Sequence, residues 1–210
     1  MRKKPAIIAA LAAVMFGLSC SGDKPSVSTF TDKRDGQVYK IVKIGRQYWF
    51  AENLNYAAKG SVCYEDSPDS CAKYGRLYDG YTAKKACPAG FHLPRAAEWG
   101  ILVENVGGQS IAAKKLKSTS GWNDKGDDRE ERSGNGTDEY GFSALPGGFR
   151  YGGGGFDFTG AGGSWWSATA SGSYAWYINI DNEDDGVGGM SINKAFSFSV
   201  RCVLDREGEQ

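Results

Sequence analysis

The 210-residue chain carries 25 Lys+Arg against 25 Asp+Glu, so it lacks the broad basic excess expected of a nucleic-acid binder. Hydrophobic residues at 40% and aromatics at 13% are enough for the core of one ordinary domain and too many for a disordered chain. The single histidine, His92, rules out His-rich zinc sites and leaves any Ser-His-Asp or Cys-His catalyst one candidate base, while 30 glycines without a collagen-like period indicate turns and open loops.

At the N-terminus, Arg2, Lys3 and Lys4 precede a thirteen-residue apolar run, Ala6 to Leu18. That run is shorter than the ~20 apolar residues of a good membrane span. It ends in Gly17-Leu18-Ser19-Cys20. This resembles a bacterial lipoprotein signal, with Gly17 where that pattern prefers Leu. The resemblance implies a signal over residues 1–19, lipidation of Cys20 and anchoring in the cell envelope at the outer membrane. An ordinary secretory signal is the alternative. Removing 1–19 takes three positive charges and leaves 22 Lys+Arg against 25 Asp+Glu, a net of −3. Ser21 to Lys33 is polar and, with Cys20, reads as a flexible tether over 20–33, followed by a domain over 34–204 and a polar tail over 205–210.

Within the domain, Val38–Ile44 and Gln47–Phe50 read as two strands joined by Gly45-Arg46, a type II′ hairpin turn. Cys63, Cys71, Cys87 and Cys202 are an even set in an oxidising compartment and allow three connectivities. Cys63 and Cys71 flank a polar, proline-containing segment that suits a short local loop, which leaves Cys87 for Cys202. No Cys-x-x-Cys spacing favours a metal instead. Short helices are expected at Tyr81–Ala86, at Leu93–Val103 with Trp99, Leu102 and Val103 on one face, and at Ser110–Lys117.

Nine of the seventeen residues from Gly147 to Gly163 are glycine, interleaved with Phe149, Tyr151, Phe156 and Phe158. Two half-buried antiparallel strands follow. Ser173–Asp181 turns Tyr174, Trp176, Ile178 and Ile180 inward and Tyr177, Asn179 and Asp181 outward. Ala195–Val203 turns Phe196, Phe198, Val200 and Cys202 inward. The expected class is α+β.

A family resemblance covers nearly all of the mature chain. Thr31 to Lys40, Ile44 to Tyr56, Tyr74-Gly75-Arg76-Leu77-Tyr78, Cys87 to Pro94, Tyr140 to Gly148, Trp165 to Thr169 and Phe198 to Val203 resemble, in order, the blocks of the Fibrobacter succinogenes major paralogous domain. That family consists mostly of lipoproteins or secreted proteins with no established activity. More distantly, His92-Leu93-Pro94-Arg95-Ala96-Ala97-Glu98-Trp99 is similar to the Leu-Pro-x-x-x-Glu-Trp signature of formylglycine-generating-type proteins. This implies a C-type-lectin-like fold: small antiparallel sheets, two or three short helices and long Gly-rich loops that bind the ligand. A Cys87–Cys202 bridge would reproduce that fold's link between an early helix and the closing strand.

Several segments are candidates for chemistry. Trp122-Asn123-Asp124 is similar to a calcium-lectin motif but lies some eighty residues before the closing strand. Asp124, Asp127, Asp128, Glu130 and Glu131 alternate with basic residues and read as a solvated loop. Asp181 to Asp185 is the better candidate for a hard cation, without EF-hand spacing, so no metal is assigned. There is no phosphate-loop motif and no cofactor is expected. His92 reads as structural. The candidate binding residues are Tyr151, Phe156, Tyr177, Asn179 and Asp181, exposed rings beside amide and carboxylate groups suited to a polysaccharide or protein ligand. The expected function is a non-catalytic envelope module. The alternatives are a purely structural surface protein and a formylglycine-generating-type enzyme, whose reactive C-terminal cysteine pair this chain lacks.

Overall fold

The computed structural model describes residues 27–126 and 133–205. The signal segment, Cys20, Asp127, Asp128, Glu130, Glu131 and the tail beyond Asp205 lie outside the described residues. The fold is mixed α+β, dominated by curled, mainly antiparallel sheets with short helices. In chain order the strands are β1 Val27–Thr31, β2 Val38–Ile44, β3 Gln47–Phe50, β4 Tyr78–Asp79, β5 Phe91–His92, β6 Gly147–Arg150, β7 Phe156–Thr159, β8 Gly162–Ser171, β9 Tyr174–Asp181, β10 Gly188–Asn193, β11 Ser197–Phe198 and β12 Val203–Leu204. The helices are α1 Pro68–Tyr74, α2 Gly80–Ala83, α3 Ala96–Asn105 and α4 Ala112–Leu116. One sheet has the order β1-β2-β3-β12-β5 and the other β10-β9-β8-β6-β11-β4, with β7 paired to β6.

The β2–β3 hairpin forms as its turn chemistry dictates. Ile44 pairs with Gln47, and Gly45 takes a φ of 59°, which a β-carbon disfavours. α3 buries Trp99, Leu102 and Val103, the face expected from their spacing. α2 is capped by Asp79, whose carboxylate accepts from the Tyr81 and Thr82 N–H groups. Cys63–Cys71 and Cys87–Cys202 are the bonded pairs, with Cα separations of 5.0 and 5.8 Å.

Several sequence expectations require correction, among them Tyr174 at the start of β9, expected inward but 52% exposed. The tether does not extend to residue 33, because β1 pairs along its whole length with β2. Just beyond it, Asp32 is fully buried in a bidentate bond to Arg34, whose guanidinium covers the Tyr56 ring at 3.8 Å. The segment between Cys63 and Cys71 is not only loop: Pro68 opens α1, which carries Cys71. The closing segment is not one half-buried strand. It divides into β11 and β12 in different sheets, and Ser197, Ser199 and Arg201 are as buried as the apolar residues between them.

That double burial follows from a core in two parts. Trp49, Trp99, Trp165, Ile178, Ile180 and Val203 belong to one cluster; Phe50, Trp166, Ala175, Phe198, Val200 and Cys202 belong to the other. Neighbours in sequence thus feed opposite clusters, so the strands between them have no wet face. The polar side chains trapped there form a knot around Asn53. Its Oδ1 accepts from Trp165 Nε1 and Arg201 Nε, both at 2.8 Å, and its Nδ2 donates to the Tyr74 carbonyl at 2.8 Å and to Ser199 Oγ at 3.3 Å. Arg201 also donates to the carbonyls of Phe50, Phe142 and Ser143 and stacks over Phe142. Burial lowers its guanidinium to about 9, still cationic at neutral pH.

Candidate functional site

The five candidate binding residues fall into three places. Asn179 and Asp181, near the end of β9, line a groove with Gln109, Ser110, Asp184 and Gly186, in a hollow of about 470 Å³. A second hollow of about 270 Å³ shares Gln109, Val187 and Gly188, so the two adjoin around the start of β10. This second part is lined by Trp99, Val103, Glu104, Trp176 and Ile178. An apolar, ring-bearing trough therefore opens into one with amide and carboxylate walls.

Two glycines keep the groove open. A β-carbon on Gly189 would lie 2.3 Å from the Trp176 ring, and one on Gly188 would lie 2.5 Å from Asn179 Oδ1. With neither side chain present, the ring and the amide remain accessible from β10. Trp176 was expected in the core; it is half-buried, packed against the first cluster while lining the groove. The missed signal was Gly188-Gly189, the bare strand positions opposite Asn179 and Ile178.

Tyr177 belongs to neither hollow and is not the outward ring the alternation implied. It lies 4.7 Å from the buried Phe198 ring, and burial pushes its phenol pKa up. Tyr151 and Phe156 lie on the Gly-rich β6–β7 hairpin. Tyr151 is exposed and donates to Asp157 Oδ2 at 2.8 Å, while the half-buried Phe156 packs 5.1 Å from Tyr64. Phe158, on the same hairpin, is half exposed and stacks on Phe149 at 5.5 Å.

The acidic loop after β9 is internally satisfied. Asp181 Oδ1 accepts from Asp184 N, Asp184 Oδ1 accepts from Gly186 N, Glu183 accepts from Gly126 N, and Asp185 pairs with Lys125 at 3.0 Å. Beneath the loop, the fully buried Lys117 ammonium donates to the carbonyls of Asp181 and Asp184 at 3.1 and 3.0 Å. Among the described residues, no cluster of three His, Cys, Asp or Glu is arranged to hold a metal ion. Trp122 is a core residue whose Nε1 donates to Ser118 Oγ and the Ala144 carbonyl.

His92 sits between two carboxylates, with Nδ1 2.6 Å from Asp205 and Nε2 2.9 Å from Glu98. The Glu98 bond and, more weakly, Asp205 raise its pKa against the opposing effect of burial. Burial pushes Glu98 up, but the His92 bond and the Arg95 N–H outweigh it and hold its carboxyl below the ordinary value. The cluster ties β5, the first turn of α3 and the end of β12 together.

The family model of the Fibrobacter succinogenes major domain matches residues 42–204, and the chain belongs to that family. No curated protein and no solved structure matches the chain. Asn53, Tyr74, Phe142, Trp165 and Arg201, from five separate blocks of the sequence resemblance, meet in the buried knot. The blocks therefore describe how the domain is held together rather than the groove.

Proposed function

We propose that this protein is a non-catalytic lipoprotein of the bacterial cell envelope, anchored at the outer membrane through Cys20, whose C-type-lectin-like domain binds polysaccharide. The observation that carries the binding reading is the groove itself. Trp176 offers a ring against which the apolar face of a pyranose can stack, and Asn179, Asp181, Asp184 and Gln109 offer amide and carboxylate groups to its hydroxyls. The lectin-like comparison is supported by the bridge from Cys87 to the closing segment, a span of 115 residues, and by the presence of the first and last strands in one sheet. The formylglycine-generating reading is disfavoured because that chemistry needs an accessible low-pKa thiol, and Cys202 is fully buried in a disulfide.

Retention of the detergent-solubilised full-length protein on a panel of soluble and insoluble polysaccharides tests the reading. A hydrogen bond to a sugar hydroxyl is worth about 0.5–1.5 kcal/mol net, up to about tenfold in affinity. Asn179→Ala should therefore weaken binding about tenfold with the melting temperature unchanged, and Gly189→Ala should block the groove by displacing the Trp176 ring. If neither change affects retention while Tyr151→Ala abolishes it, the binding face is the Gly-rich hairpin. If wild type is retained on no polysaccharide, the reading fails.

A further inference from the structure

Lys117 is a charged side chain with no exposure to water, placed at the C-terminal end of α4. Its ammonium lies where the two ends of the acidic loop turn inward, donating to the Asp181 carbonyl at 3.1 Å and the Asp184 carbonyl at 3.0 Å, and it lies 5.4 Å from the centre of the Trp122 ring. Two backbone carbonyls, a ring face and the nearby Asp181 and Asp185 carboxylates together form surroundings that stabilise an ammonium cation. The loop so held supplies Asp181, Asp184 and Gly186 to the groove. A buried ammonium is costly to desolvate, and a lysine that served only as filler would be replaceable by an apolar chain of equal length.

We propose that Lys117 is a positioning residue that acts as a tethered cation, its buried ammonium holding the Asp181 and Asp184 carbonyls and so fixing the acidic wall of the groove. Burial first, then the neighbouring Lys125, lowers its pKa, while Asp185 and Asp181 oppose them. The consequence at the groove rests on the binding reading above. The test reads the order of the loop rather than glycan affinity, so the two can fail separately.

The test uses the full-length chain. Lys117→Ala removes the equivalent of a propylammonium group. It should lower the melting temperature by roughly 10 °C, and added propylammonium should restore about half of that loss, whereas propanol restores none. Lys117→Met fills the space without charge. It should speed amide exchange of residues 181–187 at least tenfold, leave the β2–β3 hairpin protected, and gain nothing from propylammonium. Wild type should be indifferent to both propylammonium and a metal chelator. If Lys117→Ala does not fold in plain buffer, recovery of the folded state on refolding with propylammonium is the same readout. The proposal is overturned if propanol rescues as well as propylammonium, or if Lys117→Met leaves exchange in 181–187 unchanged.

Discussion

At the scale of single residues, the polar side chains that matter most are those the sequence disguised. Arg201 and Ser199 occupy the alternate positions of an apparently half-buried strand, where solvent exposure is the ordinary expectation. Nothing in a period of two reveals that a second core cluster covers that face and that Asn53, nearly 150 residues away in the chain, accepts the guanidinium there. His92 joins Asp205 to Glu98, and that geometry gives the cluster a pH dependence. The folded pKa of His92 is raised, so its contribution to stability is fully present below the unfolded value of 6.5 and is lost as pH rises through the folded value. The folded pKa of Glu98 is depressed, so its contribution is present above 4.5 and is lost as pH falls through the folded value. The melting-temperature difference between wild type and His92→Ala should therefore be largest between 4.5 and 6.5 and shrink on either side. Because the Asp205 side chain is 46% exposed, added salt should reduce the difference. A gap that stays constant from acid to alkaline pH would remove the ionic account of this cluster.

At the scale of elements, what was legible was whatever depends on near neighbours. The hairpin at Gly45, the buried face of α3 and the local Cys63–Cys71 pair all follow from residues a few positions apart. What was not legible depends on distant partners. β1 is five polar or mixed residues that become a strand only because β2 offers an edge. The groove needs Gln109 after α3, Asn179 on β9 and Gly188 on β10 brought together, so strand alternation alone reaches only Asn179 and Asp181, while the Tyr177 ring packs on Phe198 instead. The two disulfides should differ in the same way. On a chain-entropy account, a closure of 115 residues is worth about 4–5 kcal/mol and one of 8 residues clearly less. Cys87→Ala/Cys202→Ala should therefore lower the denaturation midpoint much more than Cys63→Ala/Cys71→Ala, as read by chemical denaturation. Equal losses would show that local strain in α1, not loop closure, dominates.

At the scale of the whole molecule, β1 changes how the proposed anchor would work. With the first strand beginning at Val27, only residues 21–26 separate Cys20 from the folded sheet. Six residues at ~3.3–3.6 Å each reach about 20 Å at most. A lipid on Cys20 would thus hold the domain close against the bilayer rather than on a long leash. Cys20→Ala should abolish incorporation of a labelled fatty acid and move the protein from the membrane fraction to the soluble one. A variant that remains acylated and membrane-bound would defeat the lipoprotein proposal.

The strand order also determines when the protein can exist. β12 lies between β3 and β5, and β11 lies between β6 and β4, so each sheet has an interior gap filled by a strand that follows every other strand of that sheet in the chain. A nascent chain lacking them has its early strands but nothing to join them, and Cys87 waits for a partner 115 residues downstream. Non-local closure of this kind is slow, because conformational freedom must be given up before the contacts that reward it form. For a chain exported as proposed above, such lateness would be an advantage: the polypeptide stays threadable until β11 and β12 have emerged, and these two short strands then lock both sheets at once.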